Sequence, residues 1–153
     1  MEEVKKSWLV HNKRRLLLAM MEELAGDAHI SFEGDLRGLA LSSIPFASEE
    51  PTAALKRNTL WPKQDFIVVP LEPPMTKTVI SAIGGTVPGA IIHMQIEKRG
   101  SLQFAAYDNF HPQCIFFGSA VKQRVIESLV SEGIISPYTE RSRKPTHKSN
   151  ASD

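Results

Sequence analysis

The apolar positions of the chain change period several times, and each change marks an element. Between residues 4 and 25, Val10, Leu17, Met20, Met21 and Leu24 share one side of a 3.6-residue wheel, with Leu16 at its edge. This spacing predicts one helix over 4–25, stopped by Gly26. The basic residues of its first half surround the wheel, so that half is expected to project past the core.

From His29 the period becomes two. Ile30 and Phe32 alternate with His29, Ser31 and Glu33, as in a strand with one buried face, and Gly34-Asp35 turns it. "SEEPTAALKRN", from Ser48, carries an N-cap residue, two acids in the first turn and an early proline, and predicts a short helix ended by Trp61-Pro62. "DFIVVPL", 65–71, is β-branched and aromatic, hence a strand, with Pro70 where pairing stops or at an edge. A helix follows from about Pro74, with Met75, Val79 and Ile83 inward and Gly84 as its cap.

The segment 90–108 reads as a hairpin with a three-residue loop, Lys98-Arg99-Gly100. That loop pairs Ile96 with Leu102, Met94 with Phe104 and Ile92 with Ala106 on the core face. The other face carries His93, Gln95, Glu97, Gln103 and Tyr107. "CIFFG", 114–118, is a short strand. Ser119 caps a last helix over 120–132, with Val121, Val125, Leu129 and Val130 inward, and Gly133 ends it.

The predicted order is α-β-(short α)-β-α-β-β-β-α. It implies an α+β fold in a single domain over 1–138, with helices packed on one face of a mainly antiparallel sheet of about five strands. The strand–helix–strand piece over 65–97 offers one parallel pairing. Residues 139–153 lack apolar anchors and read as a disordered basic tail.

Composition adds limits. At 153 residues the chain suits one domain with a real core. The lone Cys114 forbids an internal disulfide and suits a reducing, cytoplasmic setting. "LLLAMM" is too short for a membrane span, so no membrane association is expected. The net charge of +1 conceals basic ends around an acidic body: residues 16–140 hold nine cations and fourteen anions. Such ends offer a nucleic-acid contact, although no aromatics interleave with the cations. "VKQRVIESLVSEGIISPY" resembles the helix and β-wing of winged-helix DNA readers; that fold places two helices before it, where this chain places strands.

No G-x-S-x-G, G-x-x-x-x-G-K-[ST], H-E-x-x-H or C-x-x-C occurs, which removes the common motif-bearing hydrolases, nucleotide folds and zinc sites. "IGGTVPG", 83–89, follows a helix instead of opening one, so it reads as a cap and not a phosphate cradle. The remaining chemistry sits on the polar hairpin face. His93, Asp108 and His111 are the candidate catalytic residues, as general acid and base. Two imidazoles and a carboxylate are also the minimum for an open metal site, though no cofactor or ligand set is assigned. The competing reading makes Asp108-Asn109 an Asx-type turn with His111 bonded locally. Cys114, before "IFF", reads as structural. Trp61-Pro62 reads first as a plug over one end of the core, with Trp8 and Trp61 as interface anchors the second reading. The leading expectation is a binding protein whose partner is another protein or a second copy of itself. A small enzyme using His93, Asp108 and His111 is the rival, and nucleic-acid binding through the termini the third.

Overall fold

The computed structural model describes residues 6–139. Its five-stranded sheet is antiparallel throughout and is built from β2 (Ala28–Gly34), β3 (Asp65–Pro70), β4 (Ile91–Lys98), β5 (Ser101–Ala106) and β6 (Ile115–Phe117), in the order β3-β2-β4-β5-β6. Three helices, α1 (Lys13–Leu24), α2 (Thr76–Ala82) and α3 (Gln123–Ser131), accompany it. A separate ribbon joins β1 (Ser7–Val10) to β7 (Ile135–Tyr138). The α+β class with a five-stranded antiparallel sheet is as expected. The offered parallel pairing is not made. β3 and β4 both pair with β2, which lies between them, so the α2 crossover skips one strand.

The single helix expected over 4–25 is two elements. Ser-Trp-Leu-Val pairs with β7, and Asn12 then caps α1, its side chain accepting the Arg15 N–H at 3.0 Å. The helix does not project: Leu16 and Leu17 are fully buried in its first two turns. Three cations at its start oppose the dipole, and each has a partner: Lys13 Nζ lies 5.4 Å from the centroid of the Phe110 ring, Arg14 donates to the Gly85 carbonyl and Arg15 pairs with Glu132, the last two at 2.7 Å. At the other end Lys98 Nζ donates to the carbonyls of Leu24, Ala25 and Gly26, closing off the helix C-terminus.

One core face carries Ile30, Phe32, Val69, Met94, Ile96, Phe104 and Ala106. Against it pack Leu17, Met20 and Leu24 of α1, Val79 and Ile80 of α2, and Leu129 of α3. Burying a side chain of this size stabilises by about 1.5–3 kcal/mol.

The hairpin differs from expectation in register. Its loop is two residues, Arg99 and Gly100, both left-handed at φ 54° and 86°, as a type I′ turn requires. Lys98 faces Ser101 and Glu97 faces Leu102, but Ile96 faces Phe104, so Gln103 is an extra, bulged residue. The bulge moves Leu102 to the opposite face, where it meets Leu55, Phe66 and Val68.

The short helix expected from Ser48 does not form. Ser48 exchanges backbone bonds with Val68, its hydroxyl accepts the Glu50 N–H, and Thr52 Oγ1 accepts the Leu55 N–H. These local side-chain bonds compete with helix, and burial of Leu55 fixes the outcome. The last helix starts at Gln123, not 120, with Lys122 as N-cap. Its successor β7 was not expected, and residues 140–153, the larger part of the predicted tail, lie outside the described residues.

Candidate functional site

The sheet face away from the helices was expected to be polar and open. It is polar and covered. Residues 48–64 lie across it, and Ser31, Glu33, His93, Gln95 and Glu97 are all buried there. Each buried group serves a specific bond. Glu33 Oε1 accepts the Asn58 N–H at 2.7 Å and Oε2 the Thr59 N–H at 3.1 Å, a two-point clasp on the covering segment. Gln95 Nε2 donates to Ser31 Oγ and to the Lys56 carbonyl, and its Oε1 accepts from the Tyr107 hydroxyl at 3.3 Å. Glu97 accepts the Gly100 N–H and meets His29 Nδ1 at 2.5 Å, so His29 is paired. Gln103 Oε1 accepts the Ala120 N–H. A Cβ on Gly118 would stand 2.2 Å from the same oxygen, so glycine is needed there for close approach. Among the described residues no buried side-chain nitrogen or oxygen lacks a partner.

His93 is the centre of this arrangement. Its Nδ1 accepts the Asp108 N–H at 3.1 Å, so Nε2 carries the proton and donates to Thr59 Oγ1 at 2.7 Å. Burial lowers the imidazole below its usual pKa, against the opposing pull of the Glu33 and Asp108 carboxylates. Burial likewise raises the Tyr107 hydroxyl, with Cys114 adding to it.

Asp108 therefore reaches His93 through its backbone. His111 is engaged elsewhere: its Nδ1 accepts the Gln113 N–H at 3.1 Å and its N–H bonds to the carbonyls of Tyr107 and Asp108. The turn itself is unusual. Asp108, Asn109 and Phe110 are all left-handed, at φ 54°, 56° and 63°, a conformation that costs an L-residue about 1–2 kcal/mol each. It is held by the buried Phe110 ring and by the Asn109 amide, which donates to the carbonyls of Gly89 and Ile91 at 3.0 Å. No three His, Cys, Asp or Glu side chains among the described residues come together as metal ligands, and none of the helices described is long and apolar enough to cross a membrane.

What the clasp holds up is a hydrophobic tip. Leu60 is 89% exposed and Trp61 86%, directly after Thr59, and the Trp61–Pro62 bond is cis. Trp61 is thus no plug over the core. Trp8, in contrast, is half-buried and packs edge-on to Phe117, ring centroids 5.9 Å apart. Sequence reasoning misplaced Glu33, since alternation assigns it to solvent. The missed signal is that Leu60 and Trp61 belong to no apolar periodicity. Comparison with known proteins adds no relationship: no family model, curated protein or solved structure matches the chain.

Proposed function

We propose that the protein works by binding another protein, without catalysis, and that Leu60 and Trp61 are the anchors. The observation that carries this reading is the exposure of two large apolar side chains on a segment fixed by buried bonds two residues earlier. A soluble chain leaves such residues outside at a cost in solubility, and tryptophan is the residue most enriched at binding hot spots. A fixed base lowers the ordering entropy lost on association. Lys56 and Lys63 are exposed on either side of the tip, which favours an apolar pocket with an acidic rim. The polar hairpin face is consumed by structural bonds, which is the support for a non-catalytic role.

The test is photocrosslinking with benzoylphenylalanine at position 60 in extract of the native host. One discrete adduct is expected, competed away by unlabelled protein and not by its Trp61→Ser variant. An adduct to a second copy would make the tip a self-association site. Equal competition by Trp61→Ser, or substrate turnover lost on His93→Ala, would overturn the proposal.

A further inference from the structure

The five-stranded sheet ends on β6, and the outer side of that strand is open. Tyr107 donates to the Cys114 carbonyl at 3.0 Å and Gly118 to the Gln103 carbonyl at 2.7 Å, so residues 114, 116 and 118 turn their backbone groups toward β5. Ile115 and Phe117 turn theirs outward, where no described residue bonds to them. The other end of the sheet is treated differently: Ser48 and Val68 exchange two backbone bonds, at 2.9 and 2.7 Å, across the edge of β3. The outer side of β7 carries Pro137, which has no N–H to offer. β6 has neither device and no charge in its Ile-Phe-Phe sequence, although exposed edges in natural sheets are normally blunted.

This edge borders a groove of about 920 Å3 that is also lined by Lys6, Trp8, Val121, Gln123 and Ile126. We propose that the groove takes an extended acidic segment of another protein, added as a strand to β6, with apolar side chains at alternate positions and a carboxylate toward Lys6. Strand addition supplies main-chain bonds from the edge, and alternate side chains find the walls. A second copy fits less well. Edge-to-edge pairing of three residues is only about 10 Å long, a contact too small by itself for the roughly 1,200 Å2 that a stable pair buries.

Charge selects the acidic partner. Among the described residues no Asp or Glu lines the groove, and Lys6 does. This proposal is independent of the Leu60–Trp61 reading, which uses a different loop.

The experiment is an NMR titration of the 15N-labelled full chain with an acetylated hexapeptide alternating glutamate and valine. Saturable shifts of the Ile115 and Phe117 amides and of the Trp8 indole are expected. Lys6→Glu should weaken binding about fivefold, a lysine–valine peptide should bind less well than the acidic one, and Trp61→Ser should leave the titration unchanged. No shift at millimolar peptide overturns the proposal. Shifts that track protein concentration alone assign the edge to a second copy. Faster exchange of the Ile115 and Phe117 amides after removal of residues 1–5 assigns it to this chain's own first residues. Either result also overturns it.

Discussion

An imidazole whose Nδ1 accepts a backbone N–H has only Nε2 left to carry a proton. His93 is in that position between Asp108 and Thr59, and it is therefore a neutral connector in the fold. Protonating Nδ1 would set two N–H groups against each other, in agreement with the lowered pKa. The sign follows. The unfolded chain, with His93 near its ordinary 6.5, binds the proton more readily than the fold does. Its contribution to stability is complete above 6.5 and is lost as pH falls from there through the lowered folded value. Urea midpoints should thus decline between about pH 7 and 5, and His93→Ala should flatten that decline while costing about 1–3 kcal/mol for the unpaired N–H and hydroxyl it leaves. A variant whose midpoint falls with pH as steeply as wild type would remove His93 as the cause.

At the scale of elements, the covering segment 48–64 has no regular structure of its own and depends on what lies beneath it. Glu33 is its main fastening, because one carboxylate receives two consecutive N–H groups. Glu33→Gln keeps the shape but turns an amide NH2 toward one of those donors. The expected loss is about 1.5–3 kcal/mol. Hydrogen exchange should show it locally, with the Asn58 and Thr59 amides accelerating far more than those of β4. Uniform acceleration across the sheet would mean that Glu33 supports the whole fold and not the clasp. The elements themselves were legible where periodicity was strong. β2, β3 and the β4–β5 hairpin lie within about a residue of their predicted places. The first helix was over-extended because Val10 falls on the same wheel face as Leu17. A stripe of period 3.6 cannot reveal that Ser7–Val10 has a strand partner more than a hundred residues away.

For the whole molecule, one apolar cluster links the ribbon, the helices and the main sheet: Trp8, Val10 and Ile135 belong with Phe32 and Phe104. A single cooperative transition is expected. In a Trp61→Ser background Trp8 reports the ribbon and far-ultraviolet circular dichroism the sheet and helices. The two urea curves should coincide, and separated midpoints would show that the ribbon unfolds by itself.

The sequence by itself determined the α+β class, the antiparallel hairpin and most of the side chains that face the helices, Leu102 excepted, because these follow from local periodicity and turn chemistry. Tertiary structure alone decided the fate of the polar groups. Whether Glu33, His93 and Gln95 face water depends on a segment some twenty to forty residues distant in the chain, whose own pattern predicted a helix. The same long-range packing left Leu60 and Trp61 outside. It also gave His111 a local partner in the Gln113 N–H, at a left-handed run over Asp108–Phe110 that burial of Phe110 and the Asn109 amide hold in place.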